Sequence, residues 1–204
     1  MRRQSENETK LLTKNDMENK FFEKYPDYKI EEKPSLKLIK NYREFVPKSL
    51  IDFWEQYGFG SFMNGYLKIV NPDDYQDILD EAYENEDCAI VVAITGLGDF
   101  IVWNKERGWF YIIFFRHGTT DAISNDFEKL LHKDFVNDDV LRLDFNVKDY
   151  YPAKERLGEL EFNQCFGYVP LLGIGGSEQS ENLDKVGIEE HIYIISQMVG
   201  KVED

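Results

Sequence analysis

A run of acidic side chains in the first half of the chain carries the most evident chemistry. Between Asp73 and Asp87 the sequence contains no lysine or arginine. The acids of this run are Asp73, Asp74, Asp77, Asp80, Glu81, Glu84, Glu86 and Asp87. Carboxylates at this density could bind a metal ion, take part in acid–base catalysis, or attract a basic macromolecule.

The spacing of this run favours a helix with an acidic face. Apolar side chains recur in it at three- and four-residue intervals, at Tyr75, Ile78, Leu79, Ala82 and Tyr83. Asp73 and Asp74 follow Pro72, where a helix needs a cap. The same acids could bind a cation, but no loop beside them supplies the roughly six to eight oxygens that calcium prefers. We therefore predict a solvated acidic helix and no metal site.

A glycine-rich segment, residues 173–182, is the second place where chemistry could occur. Its Gly-Ile-Gly-Gly sequence lacks both the Lys-Ser/Thr pair of a phosphate-binding P-loop and the full dinucleotide-binding spacing. Ser177 and Ser180 have no nucleophile-elbow context. We interpret the segment as a tight turn or a close backbone approach. The sequence accordingly predicts no catalytic residue, no cofactor and no enzymatic activity.

The cysteines and histidines are too scattered to predict a metal or redox site. Cys88 and Cys165 lie far apart, each beside apolar or aromatic residues, so we expect two buried, reduced thiols. The three histidines also lack ligand spacing.

The composition limits the partners of the chain. Its formal charge of −15 and pI near 4.7 argue against a nucleic-acid surface, which needs a basic footprint. A basic protein is the natural complement, although acidity can also serve solubility alone. No run approaches the ~20 apolar residues of a membrane span, and the N-terminus has no apolar signal core. We expect a cytoplasmic protein without a membrane partner; its oligomeric state stays open.

The helix that we expect to anchor the core lies in the sequence PKSLIDFWEQYGFGSF. Its apolar side chains recur with helical spacing, and Pro47 and Gly58 suit its two ends. Trp54 should be a core residue. Aromatic residues that reach the surface near the acids could anchor a partner, and the candidates are Tyr57, Phe59, Phe62, Tyr66, Trp103 and Trp109.

Closely spaced strands then predict an α+β fold in which helices pack around an antiparallel central sheet, a meander. The predicted strands are 88–95, 100–104, 109–115 and an edge strand at 117–123, with a first strand before Asn71. Short strands are expected at 140–145 and 162–170. Further helices are expected from Asn15 or Asp16 to Tyr25, at 36–42 and from about Tyr151 to 160. Residues 188–199 suit a helix or a strand.

Two blocks of sequence resemble known families. The segments LIDFWEQYGFGSF and NPDDYQDILDEAY are similar to the GAD-like domain of bacterial proteins. The last third resembles the C-terminal domain of immunity proteins that protect type VI secretion bacteria from their own DNase effectors. The matching residues there are Phe166, Gly167, Tyr168, Pro170, Gly175, Gly176, Glu181, Asn182, Leu183, Val186 and His191.

The resemblance implies an α+β unit of the toxin-immunity and cell-wall-regulator superfamily that acts by stoichiometric binding. We expect an N-terminal helical extension (1–33), a GAD-like domain (34–135) and an immunity-protein C-terminal domain (136–204) that share one core. The implied partner is a basic secreted effector, a nuclease, blocked by occlusion. The alternative is a regulatory or scaffold module without a toxin partner. The expected contact residues are Asp73, Asp74, Asp77, Asp80, Glu81, Glu84, Ser177, Glu178 and Glu181.

Overall fold

The computed structural model of the chain describes residues 20–84 and 88–203. Residues 20–24 are helical. The predicted start of this helix at Asn15 or Asp16, and the acids Glu86 and Asp87, lie outside the described residues. The other helices are α1 (Leu36–Tyr42), α2 (Lys48–Tyr57), α3 (Pro72–Ala82), α4 (Phe127–Lys129) with a following π-helical turn (Leu130–Asp134), α5 (Asp138–Leu143), α6 (Val147–Leu157) and α7 (Ile188–Val199).

A seven-stranded antiparallel sheet forms the centre of the fold, with its strands in sequence order. Its strands are β1 (Lys29–Glu32), β2 (Phe59–Phe62), β3 (Leu67–Ile69), β4 (Ile90–Thr95), β5 (Phe100–Asn104), β6 (Trp109–Phe114) and β7 (Thr119–Ser124). A separate hairpin pairs β8 (Gln164–Tyr168) with β9 (Leu183–Gly187). The predicted α+β fold with an antiparallel meander is confirmed.

The helices cover both faces of this sheet. On one face, the core contains Leu38 of α1, Trp54 of α2, Leu130 of the π-helical turn, Leu141 of α5 and Tyr150 of α6. It extends to Leu183. On the other face, α3 and α7 pack together, with Leu79 and Ile192 fully buried. Trp54 is fully buried, as expected. Gly58 ends α2 at a φ of 80°, and a side chain there would lie 2.5 Å from the Glu32 carbonyl oxygen.

Several predicted elements differ from the structure. Residues 140–145 do not form a strand; they lie largely in α5, whose first turn is capped by the Asn137 side chain. The strand β1 was not predicted, because its four side chains are all exposed and carry no apolar alternation. The helix α6 begins earlier than expected and contains Pro152 in its interior. Cys165 is buried as predicted, but Cys88 is exposed. Residues 188–199 form the helical alternative.

Candidate functional site

The acidic helix α3 is held by local capping and by an apolar face. The Asn71 side chain accepts a hydrogen bond from the Asp73 backbone N–H at 3.1 Å, and Pro72 occupies the first turn, where no backbone donor is needed. The buried face packs against β4 and α7. The opposite face carries Asp73, Asp74, Asp77, Asp80 and Glu81, and Glu84 lies just beyond the end of the helix. All six of these predicted acids are exposed.

Neutral groups donate hydrogen bonds to several of these carboxylates. The Tyr42 hydroxyl donates to Asp73 Oδ1 at 2.7 Å, and Gln197 Nε2 donates to Glu81 Oε1 at 3.2 Å. Across residues 20–84 and 88–203, no ion pair involves Asp73, Asp77 or Glu84. Partial burial, and then the charge of Asp73, raise the pKa of Asp74. The exposed face therefore keeps its negative potential.

A groove of about 770 Å³ runs beside this face, between the end of α1 and the second half of α3. Two of the predicted acids, Asp80 and Glu84, line it. Its other lining residues are Asn41, Tyr42, Phe45, Gln76, Tyr83, Cys88, Ile90 and Lys201. The groove combines aromatic surface with carboxylates, which suits a basic protein partner.

Phe45 is the exposed aromatic residue of this groove, with 52% of its surface accessible. Its carbonyl oxygen accepts a hydrogen bond from Trp103 Nε1 at 3.0 Å, and Lys105 Nζ lies 4.8 Å from its ring centroid. The backbone of Phe45 is thus fixed to the sheet while its ring faces solvent. This arrangement lets the ring act as an anchor at little further entropic cost.

Phe45 is not among the aromatic residues that the sequence analysis predicted as partner contacts. Of the aromatic candidates it named, Phe59, Phe62, Tyr66 and Trp103 are buried in the core, and Trp109 is 39% exposed. Phe45 lies between α1 and α2, outside either helical pattern. Its position directly before Val46 and Pro47, between two predicted helices, was the available signal for an exposed turn.

The second predicted segment is a turn built on glycine. Leu172–Ile174 form a 3₁₀ turn that ends at Gly175 with a φ of 98°. A side chain on Gly176 would lie 2.0 Å from the Pro170 carbonyl oxygen, so only glycine fits there. This confirms the predicted tight turn. Ser177, Glu178 and Glu181 are exposed on it.

The structure does not bring the two predicted contact segments into one site. Glu178 Oε1 lies 3.1 Å from His117 Nε2 and accepts a 3.4 Å hydrogen bond from Asn146. The acids of α3 instead contact Tyr42, Gln76 and Gln197. Glu178 lines a different cleft from Asp80 and Glu84, and the candidate site therefore centres on α3.

Residues 20–84 and 88–203 contain neither a metal cluster nor a membrane-spanning helix. In them, no group of three or more histidine, cysteine and acidic side chains is placed to hold a metal ion. None of the described helices is long and apolar enough to cross a membrane. Both cysteines are free thiols, and burial raises the pKa of Cys165 to about 12, which keeps that thiol protonated at neutral pH.

Comparisons with known proteins match the two halves of the chain to two families. Residues 16–115 match the family model of the GAD-like domain. Residues 125–199 match the family model described as T6SS immunity protein Tdi1, C-terminal. A crystal structure of Atu4351 from Agrobacterium tumefaciens has a similar fold, with a TM-score of 0.67 and 17% identity over 87% of each chain. No curated protein gives a significant match.

Proposed function

We propose that this chain, whose two halves match the family models of the GAD-like domain and of the T6SS immunity protein Tdi1 C-terminal domain, binds and neutralises a cognate secreted antibacterial effector. We propose further that the effector is a nuclease and that neutralisation is by occlusion, without turnover. The protein would then act in the cytoplasm, where a nuclease effector meets DNA.

The exposed acidic face of α3 is the observation that carries this proposal. A nuclease that grips DNA must present a basic cleft to phosphates. The carboxylates on α3 and directly after it form a dense negative surface. Among the described residues, Asp73, Asp77 and Glu84 have no ion-pair partner, so this surface could occupy such a cleft as a charge mimic. The ring of Phe45, at the edge of the groove, would supply a desolvated contact that charge alone does not.

Survival of a cell that makes the effector tests this function. The effector encoded beside the gene would be expressed with the wild-type chain, with an Asp77→Lys/Glu84→Lys variant, or without either. We expect growth with the wild-type chain, weaker rescue by the variant, and a stable one-to-one complex on size exclusion for the wild type. No rescue by the wild-type chain against an active effector would favour a scaffold module.

A matched variant separates the surface from the net charge. Glu155 and Asp184 are exposed acids away from α3, and their change to lysine alters the net charge equally. The Glu155→Lys/Asp184→Lys variant should rescue as well as the wild type. Equal loss of rescue in both double variants would show that overall charge, and not the α3 surface, determines binding.

A further inference from the structure

A second cleft, of about 800 Å³, lies on the face of the sheet opposite to α3, beside the last strand. Ile112 and Phe114 of β6 form part of its floor, and both belong to the core on that face. Asp121 of β7 pairs with Ile112 across the strands, so its side chain lies on the same face. Leu143, at the end of α5, lines the opposite wall and is 68% exposed.

The strand that borders this cleft is an open edge of the sheet. In the sheet order, β7 comes last and pairs only with β6. In the part of the chain that the structure describes, no backbone hydrogen bond joins residues 119–124 to any segment other than β6. Thr119, Asp121 and Ala122 are exposed. An edge of this kind presents a row of N–H and C=O groups that another strand can pair with.

The charges of the cleft determine which strand would fit. Four carboxylates line it: Asp121, Asp134, Asp144 and Glu178. Three cations also line it, but Arg116 is already bound to Asp99 and Arg142 to Asp139 at 3.3 Å, which leaves Lys148 against the four carboxylates. Asp121 and Asp144 are exposed, so an incoming side chain can reach their carboxylates. A lysine or arginine side chain would donate to them and balance the excess of negative charge.

We propose that this cleft binds an extended, basic segment of another polypeptide as an additional strand along β7. Backbone hydrogen bonds to β7 would provide affinity, as in other cases of strand addition. Since side chains alternate along a strand, every second residue of the segment would point into the cleft. Basic residues there would reach Asp121 and Asp144, and apolar ones would contact Leu143. This surface is separate from α3 and does not depend on the occlusion of an effector.

Selection from a peptide library tests this proposal with the full chain. Random peptides of about ten residues, long enough for one strand, would be displayed and selected for binding to the wild-type protein. We expect the enriched sequences to carry lysine or arginine at alternate positions. Hydrogen exchange should show that the best peptide protects the amides of residues 119–124. A selection that enriches no basic alternating sequence would overturn the proposal.

Strand pairing is separated from simple charge attraction by methylating the peptide backbone. Since only alternate N–H groups of an edge strand face its partner, N-methylation of one alternate set should weaken binding at least about tenfold, the cost of roughly 1.4 kcal/mol. Methylation of the other set should change little. Equal effects of the two sets would contradict pairing along β7.

Two variants of the protein complete the test. The Asp121→Lys variant should bind the selected peptide more weakly than the wild type does. The Asp77→Lys variant, which is changed on α3, should bind it as tightly as the wild type. Analytical ultracentrifugation would show whether a second copy of this chain, and not a different polypeptide, pairs with β7. A wild-type dimer that Asp121→Lys dissociates would show that β7 pairs with itself, and this result would overturn the proposal.

Discussion

Asp99 and Arg116 form an ion pair in which the carboxylate side chain is 1% exposed and the guanidinium side chain 5%. The Thr95 hydroxyl also donates to Asp99 Oδ2 at 2.9 Å, and the guanidinium lies 5.2 Å from the centroid of the Phe114 ring. Arg116 follows the end of the GAD-like match directly and lines a small cavity with Tyr168 of β8. The pair therefore lies where the two matched segments meet.

Removal of the carboxylate from this pair should destabilise the fold strongly. In an Asp99→Ala variant, Arg116 would remain buried without its counter-charge, which costs about 3–5 kcal/mol in comparable pairs. Urea unfolding of the variant and the wild type measures this difference. The exposed pair between Lys48 and Asp52 is the control, because its side chains are 85% and 45% exposed. Asp52→Ala should lower the unfolding free energy by less than about 1 kcal/mol. Equal losses of unfolding free energy in the Asp99→Ala and Asp52→Ala variants would contradict a stabilising role for the buried pair.

Lys68 should make stability increase at alkaline pH. Its side chain is buried, with Nζ donating to the carbonyl oxygens of Glu161 and Gln164, and burial lowers its pKa from 10.5 to about 8. Between these two values the unfolded chain holds a proton that the folded chain has released. The contribution of Lys68 to the unfolding free energy therefore rises with pH across this window, by up to about 3 kcal/mol.

A Lys68→Met variant isolates this contribution from the other titrating groups. Urea unfolding of both proteins at pH 7.5 and pH 10 should show the wild type gaining stability relative to the variant. A difference between the two proteins that stays constant with pH would show that Lys68 titrates normally.

His191 should contribute to acid sensitivity. Burial lowers its pKa from 6.5 to about 4, and its ring fills the space beside Gly167, where a side chain would lie 2.4 Å away. Below pH 6.5 the unfolded chain binds a proton that the folded chain does not, so stability falls as pH decreases towards 4. An NMR titration of the His191 ring should give a midpoint near 4. A midpoint near 6.5 would contradict its burial.

Phe45 should contribute to partner binding and little to stability. Because its ring is half exposed, Phe45→Ala should change the unfolding free energy by less than about 1 kcal/mol. Loss of a hot-spot ring should weaken effector binding by about 2 kcal/mol or more. Thermal unfolding and isothermal calorimetry measure the two effects. Leu36→Ala is a suitable control, since Leu36 is 88% exposed and does not line the groove.

Elements with a strong apolar period were predictable from the sequence, and elements formed by pairing or capping were not. The helix around Trp54 and the strands β4 to β6 have apolar patterns that match their burial. The strand β1 exists because its backbone pairs with β2, although its side chains are all exposed. The helix α5 exists because Asn137 caps it, which outweighs the apolar alternation around Val140.

Only the charge of the candidate site could be predicted from the sequence. A run of acids without lysine or arginine identified α3, and helical spacing placed Asp77 on its exposed face, whereas Glu84 lies beyond the end of the helix at Ala82. The position of Phe45 depends on the packing of α1 against the sheet, and the separation of Glu178 from α3 depends on the placement of the last domain. Neither follows from spacing along the chain. The domain boundaries at residues 33 and 135 stay a prediction.

Competition between DNA and this protein for the effector tests the central claim most directly. The dissociation constant of the complex would be measured with an inactivated effector at fixed ionic strength, while the concentration of a short DNA duplex is increased. If the α3 surface occupies the DNA-binding cleft, the apparent dissociation constant should rise in proportion to the free DNA concentration. A dissociation constant that does not change at DNA concentrations that saturate the free effector would contradict occlusion.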